Sequence, residues 1–276
     1  MNFYVKDFIK KSLDEDLGIV GDITTDSIFS ESDTSEAEFN FRNEGIVCGI
    51  DFAEEVFKQI DENIEFIKLK KDGDFITKGE CCAVVKGKTK TILKGERIAL
   101  NIIQRLSAIA TKTNLYVKAV EKYDTKIADT RKTTPLFRYF EKYAVKIGGG
   151  SNHRFGLFDA VMLKDNHIAA CKSISEAVKR VRNKIPHTMK IEVEIENMEQ
   201  AKEALEAGAD IIMIDNLRGE KLKECVEYLK GKVITEASGN VNENNISEVA
   251  STGVDIISTG AIIYSAGIID IGLDFK

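Results

Sequence analysis

From about residue 125 onward the chain repeats one pattern: a short β-branched apolar run, a polar cluster, then an amphipathic stretch. Parallel strands joined by crossover helices produce that alternation, and few other architectures do. The apolar runs fall at 126–128, 160–163, 190–195, 209–214, 232–235 and 254–257. Residues 175–184, 198–207, 222–229 and 245–250 place apolar side chains three and four positions apart, which predicts helices. Gly208, Gly231 and Gly253 stand where helix-terminating glycines belong. Six strands fall short of the eight of a standard α/β barrel, so an incomplete TIM-like barrel is expected.

The first hundred residues read as α+β. Residues 37–41 alternate like a strand, 52–59 look helical, and 72–79 followed by 83–85 look like hairpin material. Residues 96–110 read as a helix leading into the barrel. The expected division is an N-terminal α+β sandwich domain, 1–108, joined by the tail 268–276, and a barrel domain, 109–267. The hairpin region lacks the lysine-bearing tip of a biotinyl or lipoyl carrier, so a structural role is expected there.

Composition removes several functions. Apolar residues make up 43% of the chain and charged residues 30%, without a long tract of either, so neither disorder nor a membrane span is expected. A net charge of −6 without a basic stripe argues against nucleic acid. Residues 1–11 lack the apolar core and cleavage site of a signal peptide. The five cysteines, at 48, 81, 82, 171 and 225, lack zinc or redox spacing and suit a reducing cytoplasm. Adjacent Cys81 and Cys82 are expected on opposite faces of a strand.

Active sites of parallel α/β barrels are assembled at the carboxyl ends of the strands, where this chain has its polar clusters. Asp129-Thr-Arg-Lys-Thr-Thr-Pro135 ends the first barrel strand and enters a helix whose first turn accepts Pro135. Arg131 and Lys132 are a solvated turn if isolated, but the same rim receives His153, Arg154 and Lys164. Such a cluster suits a small polyanion, because guanidinium groups grip carboxylates bidentately and lysines meet phosphates as point charges. Gly148-Gly-Gly150 either lets backbone approach a ligand or is a plain loop. Glu192 and Glu194 share one face of their strand, and Asp215 ends the next. These carboxylates suit Mg²⁺ or ribose hydroxyls, or form a salt-bridge layer with Lys190 or Lys164. Ser238-Gly-Asn240 and Thr259-Gly-Ala261, each placed before a helix, suit a phosphate cup.

A series of motifs carries a family resemblance over almost the whole chain. Asp16-Leu-Gly18, Gly21-Asp-Ile-Thr-Thr25, Glu96-Arg97 and Asn101-Ile-Ile-Gln-Arg-Leu-Ser107 come first. Asp129-Thr-Arg-Lys-Thr-Thr-Pro135, Lys142-Tyr-Ala-Val-Lys146, Gly148-Gly-Gly-Ser-Asn-His-Arg-Phe-Gly-Leu157, Lys164-Asp-Asn-His167 and Asp270-Ile-Gly-Leu-Asp274 follow. Together they resemble quinolinate phosphoribosyltransferase. The resemblance implies a sandwich domain plus an incomplete barrel, and a homodimer whose active sites borrow residues across subunits, with Arg97 as the borrowed arginine. It implies that Arg131, Arg154 and His153, helped by Arg97, hold the two carboxylates of quinolinate. Lys132 and Lys164 then meet phosphoribosyl pyrophosphate, and Glu194 and Asp215 meet ribose hydroxyls and Mg²⁺. Ser238, Gly239, Asn240, Gly260 and Ala261 take the 5′-phosphate. The catalytic group is thus Lys132, Lys164, Glu194 and Asp215, with no organic cofactor. The family commonly has glycine after Pro135, where this chain has Leu136, and often histidine where Tyr264 stands.

Rival readings are a molybdenum-transport-associated sister group, a nicotinate phosphoribosyltransferase, an aldolase using Lys164 as Schiff-base nucleophile, and a non-enzymatic anion-binding protein on the same barrel.

Overall fold

The computed structural model describes residues 2–276. It divides into two compact units: residues up to Lys112 together with Ala266–Lys276, and Thr113–Ser265.

The first unit holds α1 (Phe3–Leu17), α2 (Ile23–Ile28), β1 (Thr34–Phe41), β2 (Gly45–Ile46), α3 (Ile50–Ile60), β3 (Glu65–Lys68), β4 (Phe75–Ile76), β5 (Cys81–Lys88) and the start of α4 (Thr89–Ala119). Asn2 and Asp22 cap α1 and α2 by accepting the Val5 and Thr25 backbone N–H at 2.9 and 3.0 Å. The main sheet is antiparallel, in the order C-terminal strand Ile271–Phe275, β1, β5, β3. Alternation along β1 turns Ala37, Phe39 and Phe41 into the core. Phe57 of α3 meets Phe39 edge-on at 6.1 Å, which pins the helix to the sheet.

Residues 72–79 do not form a hairpin with 83–85. Instead β4 pairs with β2, while β1 and β3 occupy both edges of β5. Asp72 explains part of this, since its carboxylate accepts the N–H groups of Gly49 and Ile50 at the start of α3. Cys81 is half-buried and Cys82 buried, and none of the cysteines is bridged. The helix expected over 96–110 extends to Thr89 and Ala119. Its far end carries Thr113 and Tyr116, with Val120 just beyond, as a buried stripe at helical spacing, and packing overrides the weak helix propensity of the threonines.

The second unit runs β6 (Lys126–Ala128), α5 (Arg138–Ile147), β7 (Val161–Leu163), α6 (Asp165–Cys171), α7 (Ile174–Arg182), β8 (Ile191–Ile195), α8 (Met198–Glu206), β9 (Ile211–Asp215), α9 (Gly219–Leu229), β10 (Ile234–Ser238), α10 (Ile246–Ser251), β11 (Ile256–Ser258) and α11 (Ala261–Tyr264). All six barrel strands expected from the apolar runs are present. They form one parallel sheet in the order β6, β11, β10, β9, β8, β7, so the barrel is incomplete. Ser151 adds a single parallel bridge beside Ala128.

Three local expectations change. Pro135 precedes α5 rather than entering it, because Thr134 to Phe137 form a turn closed by the Phe137 N–H on the Thr134 carbonyl at 3.1 Å. The Gly148-Gly-Gly150 run does not line the ligand cavity. A Cβ at Gly150 would lie 2.8 Å from side chains of Thr113 and Val145, so this glycine serves close packing against α4 and α5. Ser238-Gly-Asn240 is not followed at once by a helix, since α10 starts only at Ile246.

Candidate active site

The carboxyl ends of the parallel strands surround a cavity of about 500 Å³. Arg131, Lys132, His153, Arg154 and Lys164 line one side. Glu194, Asp215, Ser238, Gly239, Asn240 and Gly260 line the remainder. The structure thus gathers these predicted residues around one opening. Arg97 is exposed on α4 in the other unit and is not among the lining residues.

The cationic side is built on a buried ion pair. Asp129, one residue past β6, is buried, and so is Lys142 of α5. Lys142 Nζ donates to Asp129 at 2.5 Å and to the His153 carbonyl at 2.9 Å. Asp129 also accepts Asn152 Nδ2 at 2.7 Å and the His153 N–H at 2.8 Å. Burial pushes the Asp129 carboxyl up and the Lys142 ammonium down, and each partner opposes the other's shift. One pair therefore clamps the segment that presents Arg154 to the end of the strand that presents Arg131. Burial, and then the neighbouring Arg131 charge, lower the Arg154 pKa, so two guanidinium groups are held close enough to repel. A dianion placed between them relieves that repulsion.

On the acidic edge Lys164 Nζ lies 2.7 Å from Glu194 Oε2, so the salt-bridge alternative holds for Glu194. Asp215 Oδ2 accepts Asn216 Nδ2 at 2.6 Å.

Glu192, two residues before Glu194 on the same face of β8, is buried and does not line the cavity; His153 Nε2 lies 3.0 Å from its Oε2 and 3.7 Å from Glu236 Oε1. His153 Nδ1 accepts the Arg154 N–H at 2.7 Å. Both ring nitrogens therefore have protein partners, while the residue also lines the cavity. Burial disfavours the charged ring, but Glu192 and Glu236 outweigh it and raise its pKa. Burial first, and then the Glu192 charge, push Glu236 up to about 7. The polar run after the 232–235 stretch gave no sign that Glu236 lies inside β10 and is buried.

Backbone conformation builds the opposite side. Gly239 has φ +79°, and Asn216 and Asn240 take positive φ of 57° and 48°, which asparagine tolerates. A Cβ at Gly239 would lie 2.6 Å from Asn216 Cγ and 2.9 Å from Asp215 Oδ1. At Gly260 it would lie 2.7 Å from the Tyr264 ring and 3.1 Å from Lys132 Cδ. Ala261 is a correction. It is buried, does not line the cavity, and its N–H donates to Thr259 Oγ1 at 3.1 Å, so it offers no free donor to a phosphate. Tyr264, Met162, Met213 and Asn216 line the cavity without having been singled out as site residues.

The model of the quinolinate phosphoribosyl transferase C-terminal domain matches residues 109–274, and that of the N-terminal domain residues 22–107. A probable nicotinate-nucleotide pyrophosphorylase (carboxylating) of Bacillus subtilis is 47% identical over 260 residues, 94% of this chain and 89% of that protein. The structure superposes on NadC from Streptococcus pyogenes with a TM-score of 0.96 at 38% identity, covering 100% of this chain and 98% of that one. With the nicotinate-nucleotide pyrophosphorylase from Francisella tularensis the TM-score is 0.94 at 42% identity, covering 99% and 96%. By sequence and by fold, the chain belongs to the quinolinate phosphoribosyltransferase family.

Proposed function

We propose that this enzyme, a pentosyltransferase, transfers phosphoribosyl from phosphoribosyl pyrophosphate to quinolinate, giving nicotinate mononucleotide, carbon dioxide and pyrophosphate in NAD biosynthesis. The observation that carries this reading is the convergence of Arg131, Lys132, Arg154 and Lys164 with Glu194 and Asp215 around one cavity. Arg131 and Arg154 bind the two carboxylates, and His153 acts from behind by holding Arg154. Lys132 and Lys164 meet the pyrophosphate. Ser238, Gly239, Asn240 and Gly260 form the 5′-phosphate cup, where small residues allow close approach.

The chemistry follows from charge placement. As pyrophosphate departs, the anomeric carbon becomes cation-like, and the fixed carboxylates of Glu194 and Asp215 stabilise it. Lys164, paired with Glu194 before substrate arrives, is in place to turn to the leaving group. The pyridine nitrogen attacks the anomeric carbon as its bond to pyrophosphate breaks, and the resulting pyridinium stabilises the carbanion left on the neighbouring ring carbon when its carboxylate departs as CO₂, that carbon then taking a proton from solvent. That electron sink belongs to the substrate, so no organic cofactor is required.

Glu194 and Asp215 fit Mg²⁺, because carboxylates at neighbouring strand ends suit an ion that keeps several waters and binds through substrate phosphates. When bound, the ion supplies charge neutralisation to the pyrophosphate. The working form is a homodimer in which Arg97 serves the partner's cavity, and the free cysteines suit the cytoplasm. No helix among the described residues is long and apolar enough to cross a membrane.

Incubation with quinolinate, phosphoribosyl pyrophosphate and Mg²⁺ is expected to yield nicotinate mononucleotide. Turnover of nicotinate with none of quinolinate overturns the substrate. Arg97→Ala subunits mixed with Lys164→Ala subunits should regain activity, and absence of rescue removes the shared-site arrangement.

A further inference from the structure

Beneath the cavity the buried charges do not balance. Asp129, Glu192 and Glu236 are buried carboxylates, and Lys142 neutralises Asp129. His153 is the one cation-capable group within 4 Å of Glu192 or Glu236 among the described residues. The Arg154 charge also bears on Glu192, so whichever state the ring takes Glu236 is the carboxylate left without a close counter-charge of its own. An uncompensated buried carboxylate is strongly unfavourable and takes up a proton instead.

Geometry selects the site of that proton. Glu192 accepts from His153 Nε2 at 3.0 Å, whereas Glu236 lies 3.7 Å from it, and neither Glu236 Oε1 nor Ser258 Oγ has a hydrogen-bond partner among the described residues. One ligand atom from each of His153, Glu192 and Glu236 lies within 4.8 Å of the others, close enough for a metal ion as well. The Nδ1 acceptor decides between the two. Because it receives the Arg154 N–H at 2.7 Å, the neutral ring carries its proton on Nε2, where it donates to Glu192 and offers no lone pair to a metal.

We propose that Glu236 is a positioning residue that holds a proton beneath the substrate cavity, taking it from solvent when the dianionic substrate binds and so keeping Glu192, His153 and Arg154 in register. The proposal rests on the reading of quinolinate as substrate. The groups facing Glu236 are Glu192 of β8, His153 of the loop before β7, Asp129 beyond β6 and the Ser258 hydroxyl of β11. A raised proton affinity of Glu236 agrees with the charge count. The sign follows: if the dianion raises it further, affinity is full while Glu236 is protonated in the free protein and falls as pH rises above neutrality, by at most about tenfold per pH unit.

Two measurements test this. Infrared difference spectroscopy of the free wild-type protein should show a protonated-carboxyl band that titrates near neutrality and is absent in Glu236→Gln. Calorimetry of quinolinate binding in buffers of different ionisation enthalpy should show uptake of about one proton above neutral pH in the wild type. In Glu236→Gln, which cannot ionise, that uptake should vanish and affinity should become independent of pH. Persistence of the band or of the uptake in Glu236→Gln assigns the proton elsewhere and overturns the proposal, as does one equivalent of a transition metal retained by the wild type and lost in the variant. Absence of any quinolinate binding sinks the substrate reading instead, while the infrared band still tests the proton.

Discussion

The cationic side of the cavity and the side lined by Asn216, Gly239 and Asn240 are built by different means. On the first, side chains are held by side chains: the Asp129–Lys142 pair fixes the 152–154 segment, and Glu192 fixes His153. On the second, backbone conformation does the holding, with positive φ at Asn216, Gly239 and Asn240. A wall of flexible side chains needs buried charge behind it to keep its shape. A backbone cup needs only residues that tolerate the conformation and the close contact. The two sides should therefore fail differently.

The largest expected effect lies behind the cationic side. Lys142→Met leaves Asp129 buried without its partner, which costs about 3–5 kcal/mol. Denaturant unfolding measures it, and at protein concentrations that keep the variant folded the KM for quinolinate should rise more than that for phosphoribosyl pyrophosphate. Adding Asp129→Asn should recover part of the stability, since the uncompensated charge disappears. A Lys142→Met protein as stable as the wild type would mean that the pair is dispensable and that the sides do not differ in this way.

Gly239→Ala is the matching test on the cup. The left-handed conformation alone costs an alanine roughly 1–2 kcal/mol. The larger effect is on rate, because the new Cβ must displace Asn216 and Asp215, and misplacement of a reacting group costs on the order of a hundredfold. Here kcat should carry the change, and any accompanying rise in KM should fall on phosphoribosyl pyrophosphate rather than on quinolinate. Arg154→Lys comes next. It keeps the charge but loses the bidentate fork, worth about 1.5–3 kcal/mol, so affinity for quinolinate should fall roughly ten- to hundredfold with little change in folding stability. An equal loss for both substrates would show that Arg154 does not discriminate between them.

The legible part of this cavity is its strand ends. β-branched runs such as 209–214 name the strands, and the polar residues that follow them must sit at the rim, so position alone brings Arg131, Lys164 and Asp215 to the cavity, while alternation along 190–195 brings Glu194. Illegible was which way a side chain turns once there. His153 points to Glu192 because two buried carboxylates attract it, and Glu236 lies within its strand because β10 begins two residues later than the apolar run. Ala261 looked like a phosphate donor by position, yet the Thr259 hydroxyl two residues earlier takes its N–H. The Gly148-Gly-Gly150 run needed knowledge of Thr113, which is distant in sequence, packing against Gly150 together with Val145. Each case depends on contacts and side-chain directions that periodicity does not encode.

The smallest expected effect sharpens the contrast, because it places a backbone-conformation problem on the cationic side. Leu136 has φ +62° in the turn that follows Arg131 and Lys132, with Pro135 before it and the Phe137 N–H closing the turn on Thr134 at 3.1 Å. That position of a Pro-initiated turn favours glycine, and an L side chain there costs roughly 1–2 kcal/mol. Leu136 is 79% exposed, so little apolar burial offsets the strain. Glycine would lose about 0.5–1 kcal/mol of this gain to the greater freedom of its unfolded chain. Leu136→Gly should therefore stabilise the protein by up to about 1 kcal/mol, a rise of roughly 2–4 °C in Tm. Leu136→Ala should give no such gain, because its Cβ retains the strain. If glycine and alanine both destabilise, the turn is held by its side-chain contacts, and the cationic side is built from side chains throughout.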